Sequence, residues 1–135
     1  MKKIFTVGVF DLMHLGHIIL FKRAKNYGDY LIVAVQKNVL KYKPNAQIVY
    51  NNRQRKDMVA AVKYVDEVIS YNDVDEIIKK IDFDIFIKGS DQNHDGFKRA
   101  VEYCKQKGKK VIVLSRTKGI SSTKLRDLIK TDLIR

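Results

Sequence analysis

Gly8-Val9-Phe10-Asp11-Leu12-Met13-His14-Leu15-Gly16-His17 is the stretch on which the reading of this 135-residue chain turns. It follows a β-rich run, residues 3–9, in which Ile4, Phe5 and Val7 are apolar and Thr6 is β-branched. It leads into a segment where Leu15, Ile18, Ile19, Ala24 and Tyr27 recur at helical spacing. Two imidazoles three positions apart thus stand where a strand gives way to a helix. Unpaired N–H groups and the positive end of the dipole make a helix start a natural seat for phosphate. Gly16 lets backbone or ligand pass closely between the rings, and both histidines can donate to phosphoryl oxygens without a metal. Two plainer roles compete: an ordinary surface helix start, or half of a metal site. The other candidate ligands are His94 in a polar loop and Cys104 on a predicted helix, and Cys104 has no partner at ligand spacing.

Outward from this stretch, strands and helices alternate. Strands are predicted at 3–9, 30–35, 65–71, 85–87 and 111–114. Helices are predicted from His17 to near Gly28, taken as a C-terminal cap, and at 53–63 with Asn51 or Asn52 as cap, 74–81, 97–107 and 123–133. Residues 36–52, with Lys37, Lys41, Lys43 and the only proline, Pro44, lack periodicity and read as a functional loop or lid. The run Tyr30-Leu31-Ile32-Val33-Ala34-Val35 is apolar throughout, as in a strand covered on both faces. The fold class is therefore α/β, a five-stranded parallel sheet with helices on both faces. Ligands of such sheets sit beyond the carboxyl ends of the strands, and the segments leaving those ends are 10–17, 36–43, 89–91 and 116–123.

Bulk properties narrow the class. The length suits one compact domain, 1–135, and 45% hydrophobic residues exclude a disordered chain. No apolar run approaches bilayer length, and the start lacks the apolar core of a signal peptide. A single cysteine agrees with a reducing, cytoplasmic setting. The formal charge of +12 is compatible with a nucleic-acid binder, but the lysines are scattered, without an arginine-rich arm or zinc-finger spacing. A positive field serves an enzyme of phosphorylated substrates equally well.

Arg116-Thr117-Lys118-Gly119-Ile120-Ser121-Ser122-Thr123 is the second informative stretch. A glycine turn, three hydroxyls and backbone N–H groups opening a helix suit phosphate oxygens, and Arg116 adds a charged fork. Serine and threonine also cap helices with no ligand present.

Gly-x-Phe-Asp-x-x-His-x-Gly-His resembles the signature of the HIGH-motif nucleotidyltransferases, a Rossmann-like superfamily of cytidylyltransferases and small adenylyltransferases. Arg-Thr-x-Gly-Ile-Ser resembles the motif of cytidylyltransferases that make CDP-glycerol, CDP-choline or CDP-ethanolamine, with Ser122 in place of the usual threonine. The small glycerol-3-phosphate cytidylyltransferases are nearest in length and in the phrase Gly28-Asp29-Tyr30-Leu31.

That resemblance implies a set of roles. Val9, Phe10, His14, His17, Asp91, Arg116, Thr117, Gly119, Ile120, Ser121, Ser122 and Thr123 would bind the nucleotide. His14, His17, Lys43 and Arg116 would stabilise charge as pyrophosphate leaves. Asp11, Lys41, Lys43, Arg55 and Lys63 would serve the acceptor, with the loop lysines arriving as the loop closes. Mg²⁺ would be carried mainly by the CTP phosphates, with Asp91 facing the nucleotide or the ion and no dedicated protein metal site. The acceptor's phosphate would attack the α-phosphorus directly, so the protein positions and stabilises without supplying a nucleophile.

The resemblance further implies a homodimer using CTP and a small phosphorylated alcohol, first glycerol 3-phosphate, for an envelope polymer such as teichoic acid or capsule. It implies neither nucleic acid nor membrane insertion. Departures gather on the acceptor side: Lys63 for an arginine, Asn38 for an aspartate, Gln92 for a tryptophan, and Lys79 as the remaining candidate for an acceptor-side lysine. Phosphocholine or phosphoethanolamine as acceptor, a sugar-phosphate adenylyltransferase, and a basic nucleic-acid-binding module are the alternatives.

Overall fold

The computed structural model describes residues 1–115. Its elements run β1 (Lys3–Gly8), α1 (Leu15–Lys25), β2 (Tyr30–Gln36), α2 (Val39–Tyr42), α3 (Asn52–Ala60), β3 (Glu67–Tyr71), α4 (Val74–Ile77), β4 (Ile85–Gly89), α5 (Asp95–Gln106) and β5 (Lys110–Leu114). The five strands form one sheet in the order β3-β2-β1-β4-β5, every pair parallel. The expected Rossmann-like α/β architecture is present.

Strand pleating explains why there are two cores. Ile4, Leu31, Val33, Val35, Ile85 and Ile87 point to one face, where Phe21 and Ala24 of α1 and Val59 of α3 cover them. Phe5, Val7, Ile32, Ala34 and Phe86 point to the other, under Val74, Ile78, Phe97, Ala100 and Cys104. Phe5 lies 5.5 Å from Phe83 and 6.0 Å from Phe86, centroid to centroid. Each ring so buried contributes roughly 2–3 kcal/mol, so this aromatic group anchors the α4–α5 layer.

Several expectations on individual elements are corrected. Helix α1 starts at Leu15, before His17, and ends on Asn26 in right-handed conformation, so Gly28 is not its cap. Its buried stripe is Leu20, Phe21 and Ala24, whereas Leu15, Ile18 and Tyr27 are exposed. Of the expected repeat Ala24 is buried and Ile19 half-buried, and in the first turn the His17 ring, packed on Phe10, takes the inward place instead of Leu15 or Ile18. The 36–52 connection contains a helical turn, α2. Helix α3 stops at Ala60, and α4 is a single turn. Strand β3 begins only at Glu67, while β4 runs on to Gly89. Gly108, at φ 69°, terminates α5. The Lys109 N–H returns to the Cys104 carbonyl at 2.8 Å and the Gly108 N–H to Lys105 at 3.2 Å, which completes a Schellman closure. The helix expected at 123–133 lies outside the described residues.

Candidate nucleotide site

The carboxyl ends of β1, β2 and β4 share one rim, and β1 enters it through a strained turn. Phe10 and Leu12 have φ of 55° and 46°. Left-handed backbone at two non-glycine residues costs of order 1–3 kcal/mol each and collects at functional sites. The turn folds the Phe10 ring back over Gly8, where an added Cβ would lie 2.7 Å from the ring. Phe10 is buried, meets His17 edge-on at 5.4 Å, and packs on Phe21 at 5.2 Å. It is the platform on which His17 stands.

The two histidines cap their own helix. His14 Nδ1 accepts the Gly16 N–H at 3.0 Å, and His17 Nδ1 accepts the His14 N–H at 3.2 Å. This is a capping box with imidazoles in place of the usual serine and glutamate. The rings stack at 4.0 Å between centroids. With both Nδ1 atoms accepting, the proton of each neutral ring sits on Nε2. The helix start therefore carries two Nε2–H donors at the positive end of its dipole, a combination suited to phosphate oxygens.

Asp11 and Arg55 form the frame beneath this turn. Asp11, 3% exposed, accepts the Val49 and Tyr50 N–H groups at 2.8 and 2.9 Å and so ties the end of the long loop to β1. Arg55, 2% exposed, donates to the carbonyls of Val9 (2.9 Å), Gln36 (2.8 Å) and Tyr50 (3.0 Å). Burial lowers the Arg55 pKa and the Asp11 charge opposes that shift. Both residues were expected to serve an acceptor. In the structure both hold backbone groups, with Arg55 clasping the ends of β1 and β2. Lys63 carries the same expectation. It is exposed in the turn leading into β3, at the amino edge of the sheet, with its ammonium 5.2 Å from the Tyr64 ring. Within one chain that is the edge opposite His14 and His17.

The lysine loop is moored on the α4–α5 side. Lys41 pairs with Asp73 at 3.1 Å, the Tyr42 hydroxyl donates to the same carboxylate, and the Tyr42 ring stacks on His94 at 5.0 Å. The hydrogen bond from Tyr42, then that from Lys41, holds the Asp73 pKa below the ordinary carboxylate range. Burial lowers the pKa of His94, whose Nδ1 accepts the Gly96 N–H at 3.0 Å and whose ring meets Phe97 at 4.6 Å. Lys43 is exposed at the end of α2. Asp73 and Tyr42 carry no signal in the sequence, and His94 stands out there only as a candidate ligand, since nothing local shows that α2 will dock across the rim.

On β4, Gln92 explains the absent tryptophan. Its side chain accepts the Gly89 N–H and donates to the Val7 carbonyl, both at 2.9 Å, and so staples β4 to β1. Asp91 follows Gly89 at the rim and is exposed. Among the described residues no three His, Cys, Asp or Glu side chains stand close enough to hold a metal. Burial pushes the Cys104 thiol up to about 11. Arg116, Thr117, Gly119, Ile120, Ser121, Ser122 and Thr123 lie outside the described residues. The structure brings together Val9, Phe10, His14 and His17 at one end of β1, with Asp91 in the turn that follows the neighbouring strand β4.

Known proteins share this pattern. The model of the cytidylyltransferase-like family matches residues 5–128. A glycerol-3-phosphate cytidylyltransferase of Bacillus subtilis is 35% identical over 132 residues, 96% of this chain and 98% of that protein. One from Staphylococcus aureus is 37% identical over 129 residues, 93% of each chain. Among solved structures, a lipopolysaccharide core biosynthesis protein from Thermoplasma volcanium superposes with a TM-score of 0.72 at 26% identity. That match covers 89% of this chain and 99% of the other.

Proposed function

This chain belongs to the cytidylyltransferase-like family and is a nucleotidyltransferase, and from that premise we propose that it transfers the cytidylyl group of CTP to a small phosphorylated alcohol. Glycerol 3-phosphate is the first candidate, in keeping with the names of its relatives. One phosphate oxygen of the acceptor attacks the α-phosphorus of CTP. The bond from that phosphorus to the bridging oxygen breaks, and pyrophosphate leaves with the electron pair.

The observation that carries this reading is the pair of Nε2–H donors on a helix start, held by their own Nδ1 caps. His14 and His17 donate to non-bridging oxygens of the triphosphate, where negative charge grows as the bond breaks. Asp11 and Arg55 act one step away by fixing the turn that carries Phe10 and the histidines. Lys41 and Lys43 approach the phosphates from the loop. Arg116, Thr117, Gly119, Ile120, Ser121, Ser122 and Thr123 contribute through the second motif. Mg²⁺ would be carried on the phosphate oxygens, with Asp91 an exposed rim carboxylate placed to assist. When bound it neutralises the phosphate charge. The product, a CDP-alcohol, suits assembly of an envelope polymer, and the enzyme works as a homodimer.

The test is pyrophosphate release with CTP or ATP against glycerol 3-phosphate, phosphocholine, phosphoethanolamine and a sugar 1-phosphate. Release with CTP and glycerol 3-phosphate supports the reading. Release with ATP and a sugar phosphate alone would place the chain with the adenylyltransferases. Thermal protection by a DNA duplex but not by CTP would favour a nucleic-acid module.

A further inference from the structure

We infer that the cavity between Lys88 and one face of α5 is an anion site for a phosphate or phosphate monoester, set apart from the histidine cleft. Lys88 is the fourth residue of β4 and pairs with Val113 of β5. Pleating turns its side chain to the α4–α5 layer, the face opposite to α1, and Gln92 stands between it and β1. Only 9% of the residue is exposed. Its ammonium donates to the Asn93 side-chain oxygen at 2.9 Å and to the Gly89 carbonyl at 3.2 Å, both neutral. Among the described residues it has no carboxylate partner within ion-pair distance.

A buried cation with neutral neighbours alone is costly, and an ion of opposite sign relieves that cost. The space for one is present. A cavity of about 300 Å³ opens beside Lys88, lined on the helix side by Phe97, Lys98, Val101, Glu102 and Lys105. These five fall on one face of α5, and with Lys88 from β4 the lining holds three lysines and one carboxylate, Glu102. The volume is at the small end for ligand pockets, too small for a nucleotide and sufficient for a phosphate with a short polar body. A methionine would have filled the same room at the end of an apolar strand. The ammonium there is explained by what it can bind.

The experiment is a titration of ¹⁵N-labelled protein with inorganic phosphate, followed by backbone amide shifts. Saturable movement at Asn93, Lys98 and Glu102 is expected. Lys88→Met weakens that movement by about tenfold or more, as for the loss of one charged hydrogen bond, while shifts at Gly16 and His17 are retained. Should Lys88→Met fail to fold, Lys98→Glu with Lys105→Glu alters only exposed side chains and is expected to weaken the same response. No saturable shift at those amides, or the same affinity in the folded variants, overturns the proposal. A second arm uses glycerol 3-phosphate. If it moves these amides and competes with phosphate, the anion is that of a substrate; if phosphate alone does, the site takes a free anion. This arm alone depends on the function proposed above.

Discussion

His14 and His17 cap the same helix reciprocally, Nδ1 of one taking the Gly16 N–H and Nδ1 of the other taking the His14 N–H. One pair of side chains thus does two jobs, closing the helix with Nδ1 and presenting Nε2. The jobs are separable. Asparagine caps as well as any residue but lacks the second donor, so His14→Asn should hold stability within about 0.5 kcal/mol while His14→Ala loses about 1 kcal/mol. Urea unfolding reads the difference. Nitrogen-15 shifts of the two rings in the unliganded protein should report the Nε2–H tautomer for both.

Arg55 gives a contrasting result. If it clasps the ends of β1 and β2, Arg55→Met leaves three carbonyls without their donor and costs about 3 kcal/mol or more. An acceptor role would instead leave the unfolding midpoint unchanged and raise only the acceptor KM.

The mooring of α2 is tested through Asp73. Asp73→Asn weakens the hold on Lys41 and Tyr42, and tryptic cleavage after Lys41 should become several-fold faster, of the order expected when local opening becomes easier. Unchanged cleavage would show that the carboxylate does not hold the loop.

Stability should also fall in mild acid because of His94. Its folded pKa is lowered, with burial the leading cause, so the unfolded chain takes up the proton first. The contribution is complete above the unfolded value of about 6.5. It is lost as pH falls from there through the folded value. His94→Asn keeps a cap on α5 and should flatten this part of the profile relative to the parent protein, measured as urea midpoints between neutral pH and mild acid.

Much of this was legible from residues alone. The unbroken apolar run of β2 and the strand–turn–helix around His14 were enough for a parallel sheet with a phosphate-suited rim. Local pattern could not show what a side chain meets after folding. Arg55 carries no local sign of its partners, because two of the three carbonyls it holds, those of Val9 and Gln36, are far from it in the chain. Lys63 was named through the resemblance alone, and no local pattern shows that the turn before β3 lies at the amino edge of the sheet. Gln92 looked like a loss of the tryptophan and proves to be a strand staple. Lys88 had no local signal beyond being the charge at the end of an apolar strand.

The most direct measurement is pyrophosphate release from CTP and glycerol 3-phosphate by His17→Gln, a substitution that keeps a capping box in the first turn. The parent rate should fall about a hundredfold or more, the effect of removing one donor from a developing charge, with the melting temperature near that of the parent. A folded His17→Gln protein that turns over at the parent rate would contradict the account.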